Sequence, residues 1–320
     1  MRVCLMIEGQ EGVTWEDWVA LAETCEQTGF EALFRSDHYT SMFNESTHGS
    51  LDAWATLSGL AALTSSLRLG TMVSPATFRH PSTLAKMVAT ADHISGGRVE
   101  LGLGAGWFER EHSGYGFPFA KTSTRMKVLA EQLEIVHGQW SSDDFSFAGE
   151  HYAIESLNAL PKPVQTPHPT LIVGGSGKKG SVDLAARWAD EYNTVGPTPE
   201  RCSELRADLD EACRRHGREP SSLPLSVMTT CIVGADQDEF QERVRGVLAA
   251  INNDDSSEDF VRESRASQVL GTTDDAIESL RSYEAAGVER IMLQHMLHRD
   301  LDMVRLLGTS VIPAVSKTSR

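Results

Sequence analysis

Short β-branched or apolar runs alternate with helical periodicity along the whole chain, and this alternation restricts the fold most. Residues 3–7 read as a strand and residues 15–27 as a helix, with Trp15, Trp18, Val19, Ala22 and Cys25 on one face. Thr14 is its expected N-cap and Gly29 its expected stop. Residues 31–35, 67–73 and 98–103 read as strands two to four, separated by helices over 53–63 and 82–94. The second of these helices starts after Pro81, with Ser82 as its expected cap. A helix over 122–139 leads into an insertion, 140–168, with a hairpin around Phe145. Strands five to eight fall at 170–173, 191–195, 225–233 and 290–294. The helices among and after them cover 181–188, 199–216, 239–250, 274–286 and 301–315. Residues 252–267 are polar and acidic and read as a mobile loop.

Eight strands each followed by helix imply parallel pairing through right-handed crossovers. An open doubly wound sheet satisfies the same alternation, but the count and the length of 320 residues favour an α/β fold of the closed kind, a (β/α)8 TIM barrel with insertions after strands 4 and 7. No Pro/Gly/Ser linker divides the chain, so residues 1–320 are expected to form one domain. The net charge of −16 argues against nucleic acid and anionic membrane as partners, since both need a basic footprint. No apolar run approaches the ~18 residues of a membrane helix, and Glu8 ends the short N-terminal apolar run too early for a signal peptide. Five scattered cysteines without a C-x-x-C pair suit reduced, buried thiols of a cytoplasmic protein.

In such a barrel the chemistry sits at the C-terminal ends of the strands. Strand two ends in Asp37-His38, the best acid/base pair in the chain, because a histidine exchanges protons near neutrality and a carboxylate can orient it. Adjacent strand residues point to opposite faces, so one of the two is open to a structural role. Strand three ends in Met72-Val73-Ser74, and strand four in a glycine-rich run through Ala105 and Gly106 to Trp107. Strand five ends in Gly174-Gly175-Ser176-Gly177. Four glycines within residues 174–180, a helix N-terminus, and Lys178 and Lys179 nearby make this the best phosphate candidate. It is not a P-loop, because Ser181 stands where a lysine is required. Trp54, Trp107, Met42 and Phe43 are candidates to line an apolar pocket. His295 and His298 lack a third ligand at metal-binding spacing, and no metal is expected.

The stretches Ser36-Asp37-His38-Tyr39, Leu69 to Pro75, Arg79-His80-Pro81, Ile94 to Trp107, Gly174 to Gly177 and Ala189 to Asn193 resemble the bacterial-luciferase-like monooxygenase superfamily. Tyr115 to Phe119 brings the resemblance nearest to its coenzyme F420-dependent oxidoreductase branch. The resemblance implies a flavin or deazaflavin ring lying across the barrel mouth. Asp37 and His38 would face that ring, with His38 as proton donor or acceptor. A non-prolyl cis bond would join Met72 and Val73 behind the ring. Ser74, Ala105 and Gly106 would contact the cofactor, and Gly174, Gly175, Ser176 and Gly177 would cradle its phosphate. Met42, Phe43 and Trp107 would line the substrate side. The sugar-phosphate branch carries a Glu where Trp107 stands, so a larger, more apolar substrate than a sugar phosphate is expected near Trp107. Hydride transfer with F420 is the leading expectation. An FMN monooxygenase fed by a separate reductase and a non-catalytic flavin-binding protein are the alternatives. A small-molecule substrate is implied, and a homodimer is compatible with the apolar helix faces in residues 53–94.

Overall fold

The computed structural model describes residues 1–44 and 46–316. Among them, eight parallel strands close on themselves: β1 (Arg2–Ile7), β2 (Ala32–Arg35), β3 (Arg68–Thr71), β4 (Val99–Gly104), β5 (Thr170–Gly174), β6 (Glu191–Val195), β7 (Leu225–Gly234) and β8 (Val288–Gln294). β1 pairs with both β2 and β8, which shuts the cylinder, and β6 to β7 completes the circuit. Helices between the strands cover the outside, as the alternation implies. The first, Trp15–Thr28, is bounded as its sequence dictates. Thr14 and Asp17 form a reciprocal capping box, and Gly29 takes a left-handed φ of 83° at the C-terminus. No helix among the described residues is long and apolar enough to cross a membrane.

Period-two alternation sends one set of strand side chains outward and the other inward. Val3, Leu5, Leu33, Leu69, Leu101, Leu171 and Ile291 pack under the helices, whereas Cys4, Met6, Phe34, Met72, Ile172, Met228 and Met292 form a separate cluster that fills the barrel. The base of the barrel is ionic. Arg290 donates to both carboxylate oxygens of Glu100 at 2.7 and 3.0 Å and to Glu191 at 3.3 Å, and all three are essentially buried. Burial alone would raise the pKa of Glu100, but the Arg290 charge and its hydrogen bonds outweigh it and hold the carboxyl at about 2. A fixed pair of this kind closes the lower end and leaves the opposite rim for chemistry.

Three local features differ from the sequence expectation, each for an identifiable reason. Residues 252–267 contain a helix, Ser257–Ser264, capped by the Ser256 hydroxyl accepting from the Asp259 amide, and a further strand, Val269–Thr272, follows and pairs with the end of β7. Phe260 and Val261 dock that helix on the apolar cluster of Ile232, Phe240 and Leu270, a contact invisible in the polar composition of the segment. The helix after β3 runs Pro81–Ser95, and its cap is His80, whose ring accepts from the Ser82 amide. The closing helix is interrupted by a π-type turn, Leu307–Val311, just before Pro313, which has no N–H to continue the regular ladder.

Close packing at the upper rim centres on Val73. A Cβ added at Gly174 would lie 2.9 Å from Val73 Cγ1, and one at Gly104 would lie 2.7 Å from Val73 Cγ2. Gly174→Ala should therefore destabilise the protein by ~1–3 kcal/mol, the usual cost of overpacking. Combined with Val73→Ala it should show a favourable coupling of at least ~0.5 kcal/mol in a urea-unfolding double-mutant cycle. Additive effects would contradict this packing.

Candidate active site

The C-terminal ends of all eight strands lie on one rim, and the candidate residues of β2, β3, β4 and β5 come together there. His38 follows β2 with its side chain 12% exposed, open to the mouth. Its Nδ1 lies 2.8 Å from Glu111 Oε2. The other oxygen of Glu111 accepts from the backbone N–H groups of Tyr39 and of Thr40, the latter at 2.9 Å. Glu111 is 1% exposed and sits on the short helix Glu109–Tyr115 in the insertion after β4. Burial by itself would lower the His38 pKa. The hydrogen bond and charge of Glu111, with the charges of Glu8 and Asp37, outweigh burial and raise it. Glu111 moves the opposite way. Burial would raise its carboxyl, but the His38 contact and the backbone donors hold it below its ordinary value.

Asp37 is placed differently from its neighbour. It is 1% exposed and its carboxylate accepts from both Arg79 nitrogens and from the Ser74 hydroxyl at 2.6 Å. Ser74 accepts in turn from Trp54 Nε1 at 3.1 Å, and Arg79 also donates to Tyr39 and Asp52. Of the adjacent pair, His38 is the group at the opening, and Asp37 anchors the segments that carry it. The side chain of Ser74 is likewise turned into this buried network.

Behind the opening, Met72 and Val73 are joined by a cis peptide bond. The positions facing Val73, Gly104 and Gly174, bear no side chain, and Val73 fills the space each one leaves. Ala105 and Gly106 continue from β4, and Gly106 has a φ of 78°. The turn after β5 is shaped by Tyr192 of β6, whose hydroxyl accepts from the Gly177 N–H at 2.9 Å and meets the Ser181 hydroxyl at 2.9 Å. A Cβ at Gly175 would collide with these same two side chains at 2.5 Å. The following helix, Lys179–Trp188, begins without a side-chain cap, and Ser176, Lys178 and Lys179 beside it are exposed. Arg201 lies close to Gly177 on the next helix. This cradle, with its free helix amides and cations, suits a phosphate or carboxylate tail.

Trp107 is 62% exposed, stacks on Phe108 at 5.2 Å and meets the His38 ring edge-on at 5.8 Å. It is the apolar surface next to His38. Met42 is tied through its N–H to Glu11 at 2.9 Å, and Phe43 lines a cleft of about 190 Å³ with Ala250, Met296 and Leu297. Trp107 does not line that cleft. His295 and His298 go to different partners, the Asp300 carbonyl and the Asp17 carboxylate.

Sequence reasoning did not bring Glu111, Glu8 or Arg201 to the site. Glu8 at the end of β1 accepts from Gln10 and Gln294, and Gln294 accepts from Thr230 at 2.8 Å, which makes a polar arc opposite the glycines. The strand-end rule could have flagged Glu8, since it follows β1 directly. Nothing in spacing links residue 111 to residue 38.

The model of the luciferase-like monooxygenase family matches residues 2–294. The chain belongs to this family. Among its relatives, an FMNH2-dependent dimethylsulfone monooxygenase of Pseudomonas putida is 27% identical over 92% of this chain and 86% of that protein. An F420-dependent glucose-6-phosphate dehydrogenase of Microbacterium testaceum is 26% identical over 91% of each. The solved structure of an F420-dependent secondary alcohol dehydrogenase, in complex with an F420-acetone adduct, superposes with a TM-score of 0.84 at 20% identity over 99% of both chains. The family thus holds F420-dependent and FMN-dependent relatives of this luciferase-like barrel.

His295 closes β8 with 2% exposure, and burial pushes its pKa down to about 4. An unfolded histidine binds a proton below pH ~6.5, whereas this one stays neutral until about 4, so its stabilising contribution is complete above 6.5 and is lost as pH falls. Between pH 7 and pH 5 the wild-type protein should lose ~2 kcal/mol more stability than His295→Gln, read by urea unfolding. Parallel pH profiles for the two proteins would contradict this.

Proposed function

We propose that the protein is a coenzyme F420-dependent oxidoreductase that moves a hydride to or from a small, apolar organic substrate, with His38 exchanging the accompanying proton. The observation that carries this reading is His38 itself: a histidine at the mouth, backed by a buried carboxylate, with its pKa raised so that it can hold a proton near neutrality. Interconversion of a carbonyl and an alcohol needs such a donor at the substrate oxygen.

The residues present fit a flat ring with an anionic tail. Met72 and Val73 would back the ring, with Ala105 and Gly106 at its edge, and Gly174, Gly175, Ser176 and Gly177 would receive the tail with help from Lys178, Lys179 and Arg201. When bound, the deazaflavin supplies the hydride chemistry. The protein's part is to orient and to shield. Trp107 and Phe108 offer the substrate an apolar wall beside His38 and limit water there. Asp37 and Arg79 fix the loop so that the His38 ring does not drift, which makes the encounter effectively intramolecular. An aromatic ring at Trp107 also argues against transferring the sugar-phosphate substrate of the Microbacterium testaceum relative to this chain.

The second reading is an FMN-dependent monooxygenase supplied with reduced flavin by a separate reductase, and the similarity to the dimethylsulfone monooxygenase over 92% of the chain favours it. Spectroscopic titration of the purified protein separates the two. Under the first reading, F420 binds at least ~10-fold more tightly than FMN, a difference of ~1.4 kcal/mol. Tighter FMN binding would transfer the assignment to the monooxygenase. His38→Ala should lower turnover by ~10²–10⁴-fold while cofactor affinity changes little. Unchanged turnover would remove His38 from the reaction.

A further inference from the structure

We propose that Glu111 is the positioning residue that decides which nitrogen of His38 faces the substrate, holding Nδ1 as a hydrogen-bond donor and presenting Nε2 as the atom that exchanges the proton. The inference rests on the reading of His38 as the proton donor or acceptor, and adds the group that fixes its tautomer.

Hydrogen-bond polarity fixes the arrangement. Glu111 Oε1 is committed to two backbone donors, the amides of Tyr39 and Thr40. An amide N–H can only donate, so that oxygen can only accept. Oε2 is left for His38 Nδ1 at 2.8 Å. An ionised carboxylate accepts and never donates, and Nδ1 must therefore carry the proton. In the neutral ring this leaves Nε2 as an acceptor, and in the charged ring Nε2 donates as well. A proton thus leaves or enters at Nε2 alone, passing to the substrate atom while Nδ1–H and the Glu111 charge stay in place. A buried carboxylate behind an imidazole holds its tautomer and stabilises its charged form in the same way in other acid/base sites.

The charged groups around His38 are few. Glu111 faces it from the helix Glu109–Tyr115, Glu8 from the end of β1, and Asp37 from its own segment, where Arg79 neutralises it. The rings of Trp107 and Phe108 supply the remaining walls. Of the three carboxylates, Glu111 is the one hydrogen-bonded to the ring. Because Glu111 shares a segment with Trp107, the chain that shapes the substrate side also sets the proton donor.

Glu111→Gln reverses the polarity without changing the shape. The two backbone amides still demand an acceptor, so the amide oxygen goes to them and the NH2 group turns to Nδ1. Nδ1 must then accept, the proton moves to Nε2, and the charged ring loses its partner. The experiment is ¹⁵N nuclear magnetic resonance of the ring nitrogens across pH in the cofactor-free protein, with the His38 signals assigned by their loss in His38→Asn. Wild type should show the Nδ1–H tautomer when neutral. Glu111→Gln should show Nε2–H, with the His38 pKa lower by ~1–3 units. Glu111→Asp, which keeps the charge, should retain Nδ1–H. An Nε2–H tautomer in wild type, or the same tautomer and pKa in wild type and Glu111→Gln, would overturn the proposal. Should Glu111→Gln fail to fold, the wild-type spectrum and Glu111→Asp decide it: Nδ1–H in both supports it, and Nε2–H in either overturns it. None of these readouts uses turnover, so a His38→Ala protein with full activity would sink the proposed function and leave the tautomer result standing.

Discussion

Val73 occupies a space that exists because Gly104 and Gly174 carry no side chain. That constraint ties three strands of the rim together. With Val73 seated there, the segment after β3 projects against the ends of β4 and β5. Ordinary residues at those positions would force the projection out and fill the mouth. The missing atoms that permit the packing therefore set where the Met72–Val73 segment sits at the mouth, the surface proposed to back a planar ligand.

Charge is distributed around that surface with a clear division of labour. At the base, Arg290 and Glu100 form a fixed pair whose partners are so well matched that neither is available to exchange protons. At the rim, Asp37 and Arg79 form a second fixed pair that anchors Tyr39 and Ser74. His38, by contrast, combines a raised pKa with an opening to the outside. A net charge of −16 over the chain sets the background against which Lys178, Lys179 and Arg201 beside the β5 turn stand out as a local cationic exception.

The parts of this arrangement that depend on neighbours in the chain are readable in the sequence. The run of residues 191–195 is a strand in both readings because its alternation is local, and the Thr14 and Gly29 boundaries follow from side-chain capping within one turn. Placement of His38 at the mouth follows from the strand-end rule. What escapes is long-range pairing. Glu111 meets His38 across 73 residues, and Arg290 meets Glu100 across 190. No periodicity encodes either. The helix Ser257–Ser264 escapes for a related reason, since its polar composition conceals the two apolar residues that dock it on the end of β7 and its helix. Asp37 shows the converse: the pair Asp37-His38 is legible, but which of the two is buried depends on Arg79.

The proposed function places a redox ring across this mouth with its tail in the turn after β5. A crystal structure of the complex with F420 tests it most directly. The ring is expected against Met72 and Val73, the anionic tail at the turn after β5 and the first amides of the helix Lys179–Trp188, and His38 Nε2 turned toward the ring. A tail held instead at the turns after β7 and β8, or a ring outside the barrel mouth, would contradict it.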